Sequence, residues 1–160
     1  MALLEPDERI SRLSAIPPKS LRQRGFRLVL LDMDDVLIPR DGGEIHNEIH
    51  HWIEKAKQVG LSLYVISNSK FPRRVKEACA SLGLEGTSWA MKPFPFAFRK
   101  AMQKYKVKRD EAVVVGDQLF SDILGAKWAG IHSIFVKPMT PERRWDRKIM
   151  RWLEKRLGGR

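Results

Sequence analysis

Short apolar runs alternate with segments of helical period through the middle of this chain. Each run stops at a polar residue of a different kind. The runs are Phe26-Arg27-Leu28-Val29-Leu30-Leu31, Leu61-Ser62-Leu63-Tyr64-Val65-Ile66, Trp89-Ala90-Met91, Ala112-Val113-Val114-Val115 and Ser133-Ile134-Phe135-Val136. Brief apolar runs bounded by polar residues read as buried strands. Between them Ile45, Ile49, Trp52-Ile53, Ala56 and Val59 recur at helical spacing, predicting a helix over Glu44–Val59. Val75, Ala78-Cys79 and Leu82 repeat the pattern, as do Phe98, Met102 and Tyr105, and then Ile123-Leu124 and Trp128 up to a stop at Gly130. Strands alternating with helices imply parallel strands joined by right-handed crossovers. The expected fold is therefore α/β, a doubly wound parallel sheet.

In such sheets ligands bind at the carboxyl ends of the strands. The first run is followed by Asp32-Met33-Asp34, the second by Ser67-Asn68-Ser69, the third by Lys92-Pro93, and the fourth by Gly116-Asp117 with Asp122 five residues beyond. Two carboxylates at the end of a buried strand are costly unless something compensates their charge. Residues two apart on a strand point the same way, so Asp32 and Asp34 can converge on one cation. Any one of these groups could be a cap or a turn residue. Four in this order are hard to explain as punctuation.

The set Asp32-Met33-Asp34-Asp35-Val36, Ser67, Lys92 and Gly116-Asp117 with Asp122 resembles the four motifs of the haloacid dehalogenase (HAD) superfamily of aspartate-nucleophile phosphohydrolases. Those motifs read DxDx(T/V), S/T, K, and GDxxxD or GDxxxxD, and the likeness covers residues 26–136. Within the superfamily the chain is most similar to the small YqeG-type branch of subfamily IIIA, which is related to phosphatidylglycerophosphate phosphatases. That closer likeness rests on Ile66-Ser67-Asn68, Lys92-Pro93, Gly116-Asp117-Gln118-Leu119, Asp122-Ile123-Leu124-Gly125 and the lead-in from Leu3 to Gly25. The branch usually has Asn-Thr where this chain has Asp35-Val36, so Asp35 is expected to add negative charge beside the site.

The resemblance implies a phosphatase chemistry residue by residue. Asp32 would attack phosphorus and form an aspartyl-phosphate, dividing one hard step into two easier ones. Asp34 would protonate the leaving alkoxide and then activate water. Ser67 and Asn68 would bind the phosphoryl group, and Lys92 would neutralise both phosphate and nucleophile. Mg²⁺, which prefers oxygen ligands, would be held by Asp32, the Asp34 backbone carbonyl and Asp117, with Asp122 close by. A helix-start role is the other reading of Asp122. Only 29 residues separate Asp34 from Tyr64, and 24 lie between Ser67 and Lys92, each enough for a loop and one helix. The site should therefore lack a lid domain, which suits a substrate too large to enclose. A lipid phosphate similar to phosphatidylglycerophosphate leads, ahead of nucleic-acid ends or small metabolites. From another class, a non-catalytic RNA-binding module of the same fold is disfavoured, since binding alone gives no reason to keep an acid/base two residues from a nucleophile.

Length suits one HAD-like domain, with residues 1–25 as lead-in, 26–136 as catalytic core and 137–160 as a basic tail. The one cysteine, Cys79, reads as helix packing. His46, His50 and His51 lie on the polar side of their helix and lack a third ligand, so a solvated face is the reading preferred to a zinc site. No charged-then-apolar leader pattern is seen, and no run approaches the roughly 20 apolar residues of a spanning helix, so a cytoplasmic location is expected. The net charge of +11 divides as +2 over residues 1–25, +3 over 26–136 and +6 over 137–160. In the tail, Pro141–Leu157, Trp145, Ile149, Trp152-Leu153 and Leu157 fall at helical intervals among arginines and lysines. A basic amphipathic helix bearing Trp is a membrane-interface signature, which would make the protein peripheral to the inner membrane. Packing of that stripe on the domain, or binding of RNA, are the alternatives. Oligomeric state is not legible.

Overall fold

The computed structural model describes residues 3–140 and 145–157, with the side chains of 145–150 outside that description. Its elements are β1 (Glu8–Ile10), α1 (Pro18–Gln23), β2 (Leu28–Leu31), α2 (Asn47–Gln58), β3 (Ser62–Ile66), α3 (Pro72–Leu82), β4 (Glu85–Thr87), α4 (Phe96–Tyr105), β5 (Ala112–Gly116), α5 (Leu124–Ala129), β6 (His132–Val136) and α6 (Trp145–Arg156). The six strands form one sheet in the order β1-β6-β5-β2-β3-β4, parallel at every pairing.

The central strands are apolar on both faces because helices cover both. Val29, Leu31, Leu63, Val65, Val113 and Val115 belong to one buried cluster, together with Ile49, Trp52 and Ile53 of α2 and Val75, Cys79 and Leu82 of α3. Leu28, Leu30, Ile66, Ala112 and Val114 belong to a second, with Phe98, Ala101 and Met102 of α4 and Ala126 and Ala129 of α5. Alternation along each strand thus feeds two cores, each buried Leu or Val contributing about 1.5–3 kcal/mol. Cys79 is packing, as its place on α3 suggested.

Two strand assignments need correction. Trp89-Ala90-Met91 is not a strand; the edge strand β4 precedes it at Glu85-Gly86-Thr87, a stretch with little apolar signature. Gly86 is needed there because a Cβ would lie 2.7 Å from Val65 Cβ and 2.9 Å from Cys79 Sγ. Trp89 and Met91 both take positive φ, 51° and 57°, which turns Ala90 inward and leaves its two large neighbours more than half exposed. The apolar run was real, but it faces outward. Second, residues 1–25 hold more than a lead-in: β1 pairs with β6, in the register Glu8↔Ile134, at the opposite edge of the sheet. Leu4 is buried against Leu119, Ile123 and Leu124.

Helix α2 begins at Asn47 rather than Glu44, after a loop containing Gly42-Gly43. His46 and His51 are exposed and His50 half-buried, in keeping with a solvated face. The connections 32–46, 67–71 and 88–95 at the carboxyl end of the sheet contain no inserted lid. Among the described residues no helix is long and apolar enough to cross a membrane.

Candidate active site

Strand order brings the polar strand ends together. β2 lies between β3 and β5, so Asp32, one residue past β2, has Ser67 on one side and Gly116-Asp117 on the other. Its backbone N–H donates to Val115 O at 3.1 Å, extending the ladder by one bond. Ser67, buried at the end of β3, donates its N–H to Thr87 O of β4. Beyond β4, Trp89 N donates to Ser69 O and Ala90 N to Ser67 O, so the 89–91 segment continues along the end of β3 and delivers Lys92 into the site.

Asn68 fixes Lys92 from both sides. Its amide donates to Lys92 O at 3.0 Å and its carbonyl accepts from Lys92 N at 2.8 Å. The side chain expected to bind phosphate also holds the lysine backbone, and Asn68 lines the cleft with Ser67. Lys92 Nζ then reaches Asp32 Oδ1 at 3.0 Å and Asp122 Oδ1 at 2.6 Å.

Asp122 is held in a π-helical turn, Leu119–Ile123, between β5 and α5. Such turns are frequent at functional sites. Gln118 N donates to its second oxygen at 3.2 Å. Asp122 thus joins the residue ahead of the turn to Lys92 through its two oxygens. Gly116 is required beneath it, because a Cβ there would lie 2.3 Å from Asp122 Cβ. That contact is the physical content of the Gly-Asp spacing.

Asp32, Asp117 and Asp122 each offer an oxygen within 4.8 Å of the others, and all three are buried. Burial pushes the Asp32 carboxyl up, but Lys92 and hydrogen bonds from its neighbours together hold it below its ordinary range. Asp117 is pushed well up by burial, then by the charges of Asp32 and Asp122. Asp122 is pushed up to about 7 by burial and by Asp32, against the pull of Lys92. Lys92 is desolvated, yet Asp122 and Asp32 raise its proton affinity above the ordinary value. Asp117 Oδ1 has no hydrogen-bond partner among the described residues. Three crowded carboxylates, all oxygen donors and one with an orphaned atom, fit a divalent cation.

Asp34 lines the same cleft but is not one of the three grouped carboxylates. Its carboxylate takes a two-point ion pair from Arg74 of α3, Nη2 to Oδ1 at 2.6 Å and Nη1 to Oδ2 at 3.3 Å. Asp35, at φ 65°, does not line the cleft. Its buried carboxylate accepts from Arg40 N, Thr140 N and Arg40 Nε, tying the loop after β2 to the segment after β6. The charge expected beside the site is therefore absorbed by the fold.

Sequence reasoning missed Arg40, Arg74 and Arg151. The first two line a cleft of about 380 Å³ with Asp32, Asp34, Ser67 and Lys92. Arg151 of α6 places Nη2 3.5 Å from Asp117 Oδ2. Glu154, one turn on, accepts from Phe120 N at 3.0 Å. The described end of α6 thus faces the domain with charged residues, while Trp152 and Leu157 are each 54% exposed and Leu153 is 37% exposed. The packing alternative for the apolar stripe fails at these three residues; Trp145 and Ile149 side chains and residues 141–144 lie outside the described residues.

Known proteins resemble this chain in sequence and fold. A HAD-hydrolase-like family model matches residues 89–144. A probable phosphatase, YqeG of Bacillus subtilis, is 31% identical over 152 residues, covering 95% of this chain and 88% of that protein. Among solved structures, a Listeria monocytogenes protein superposes with a TM-score of 0.61 at 22% identity, covering 74% of this chain and 85% of that one. The cobalt-bound deoxy-D-mannose-octulosonate 8-phosphate phosphatase YrbI of Haemophilus influenzae does so with a TM-score of 0.57 at 14% identity, covering 84% and 88%. These likenesses and the motif geometry place the chain in the HAD superfamily, among its YqeG-like phosphatases.

Proposed function

We propose that the chain is a Mg²⁺-dependent phosphomonoester hydrolase working through an aspartyl-phosphate on Asp32. The observation that carries this reading is the Lys92 ammonium bridging Asp32 and Asp122 beside the orphaned oxygen of Asp117. An attacking carboxylate and a phosphate repel each other, and phosphoryl transfer depends on positioning and charge neutralisation. Lys92 holds Asp32 ionised and oriented through Oδ1, which also accepts from Met33 N at 2.9 Å. Ser67, buried and lining the cleft, donates to a phosphoryl oxygen in this reading. Asp34, at the cleft mouth, is the acid for the leaving alkoxide and then the base for water.

Asp32, Asp117 and Asp122, with the Asp34 carbonyl, would hold Mg²⁺, since a set of hard oxygen donors suits that ion. When bound it supplies positive charge against the phosphate. A lipid phosphate resembling phosphatidylglycerophosphate remains the leading substrate, supported by the open cleft and by exposed Phe71 at its wall. Peripheral contact with an anionic membrane is supported by exposed Trp152, Leu153 and Leu157 on α6. The test is a phosphate-release screen with Mg²⁺ across lipid, sugar, nucleotide and polynucleotide phosphates. Asp32→Asn keeps the shape but removes the attacking charge and should abolish release. Wild-type turnover in that variant would refute the aspartyl-phosphate.

A further inference from the structure

Beyond the groups assigned to the phosphoryl centre, three more cations line the same cleft: Arg40, Lys70 and Arg74. One phosphate dianion, already faced by Lys92 and a divalent cation, does not call for three further positive groups. Arg74 spends both arms of its guanidinium on Asp34, so both Asp34 oxygens are turned toward α3. In that position Asp34 cannot face a leaving-group oxygen. Burial works against the charge of Arg40, and the surrounding carboxylates, Asp34 first among them, more than offset it. Arg74 thus pairs with Asp34, while Arg40, whose Nε lies 3.4 Å from Asp35 Oδ2, lines the same cleft.

A guanidinium fork fits a ligand carboxylate or phosphodiester with the same two-point geometry it uses on Asp34. Exchanging one anion for another keeps Arg74 paired, whereas withdrawing it from Asp34 with no replacement leaves it unpaired. The pair is accessible enough for exchange, with Arg74 40% and Asp34 15% exposed. We propose that Arg74, with Arg40 and Lys70 beside it, selects phosphomonoesters whose leaving group carries a second anionic group. That group draws Arg74 off Asp34 and frees the carboxyl to turn to the leaving oxygen. The inference rests on the phosphatase reading and on the Asp34 role above. A purely structural tie between α3 and the loop after β2 would be indifferent to the leaving group.

The test compares kcat/KM, with Mg²⁺, for three alkyl phosphates: glycerol phosphate with a neutral leaving group, phosphoglycerate with a carboxylate, and glycerophosphoglycerol phosphate with a phosphodiester. Wild type should prefer one or both anionic substrates, and which one identifies the source of the second charge. Arg74→Gln should cut that preference by about tenfold or more, and Arg74→Lys, which keeps charge but not the fork, should restore part of it. Equal losses on all three substrates, or no preference in wild type, would overturn the selection. Calorimetry on Asp32→Asn, with and without Arg74→Gln, supplies a readout that needs no turnover. Adding Arg74→Gln should weaken the anionic ligand by about tenfold and glycerol phosphate by less than about threefold. That binding pattern without wild-type turnover would sink the catalytic reading alone, whereas uniform weakening would sink the selection by Arg74.

Discussion

Replacing Lys92 with Met keeps much of its volume and removes its charge, isolating the electrostatics of the triad. In wild type the Lys92 side chain is 2% exposed and its ammonium lies within 3.0 Å of both Asp32 and Asp122. Removing one partner of a buried ion pair costs about 3–5 kcal/mol, because the remaining charge is left uncompensated. The loss should fall near the lower end, about 3 kcal/mol, since Asp122 already titrates near 7 and can take a proton. For a domain of this size 1 kcal/mol moves Tm by about 2–4 °C, so a fall of about 6–12 °C is expected in chelator. Thermal unfolding of wild type, Lys92→Met, Asp122→Asn and the double variant forms a cycle. The double variant should be more stable than the sum of the single losses by about 1–3 kcal/mol, as groups in one network couple. Activity should drop roughly 10²–10³-fold, the usual cost of one lost charge-stabilising donor. A Tm within about 2 °C of wild type, with additive single effects, would show that the ammonium does not hold the triad together.

Asp117→Ala removes a carboxylate of the triad, so the Mg²⁺ concentration for half-maximal activity should rise; saturating Mg²⁺, worth about 2.7 kcal/mol at a hundred times Kd, should raise wild-type Tm but not that of the variant. Asp122 binds its proton more tightly folded than at its ordinary value of 3.8, so its contribution favours the fold below about pH 4 and is lost as pH rises through about 7. In chelator, wild type should therefore lose stability relative to Asp122→Asn across that window, and a constant difference would contradict the assigned burial. The exposure of Trp152 and Leu153 predicts that changing both to Ala weakens sedimentation with phosphatidylglycerol-rich vesicles while leaving Tm within about 1 °C. A lowered Tm with unchanged vesicle binding would remove α6 as a membrane contact.

The parts of the fold written in local periodicity were readable. Leu28–Leu31, Ser62–Ile66, Ala112–Gly116 and His132–Val136 are strands because their runs are buried on both faces, which leaves a continuous apolar signature. The edge strands were not readable for the same reason. Glu8–Ile10 and Glu85–Thr87 are three residues each and only partly covered, so neither needs apolar residues throughout. Trp89-Ala90-Met91 misled because composition cannot reveal that two of its residues adopt left-handed φ and turn outward. Asp35 misled in the opposite sense. A carboxylate beside a nucleophile looks like added site charge, yet its partners, Arg40 and Thr140, are supplied by tertiary structure.

The site divides along a similar line. Asp32, Asp117 and Asp122 were legible because each stands at a fixed offset from a strand end, and the parallel topology converts those offsets into one locus; Lys92 was legible by its place in the motif order although the run before it is not a strand. Motif order along the chain is not spatial order: β2 sits between β5 and β3, so the strand that ends at Asp32 is flanked by the last acidic motif and the hydroxyl. Arginines have no such address. Arg40 comes from a loop, Arg74 from the first turn of a helix, and Arg151 from a helix following the last strand, among 30 basic residues in the chain. Their long side chains reach the site from three directions, and only their carboxylate partners distinguish them from solvated neighbours. Motifs held at strand ends would then serve the phosphoryl transfer common to the family, while selectivity for the rest of the substrate would lie with groups that the motifs do not mark.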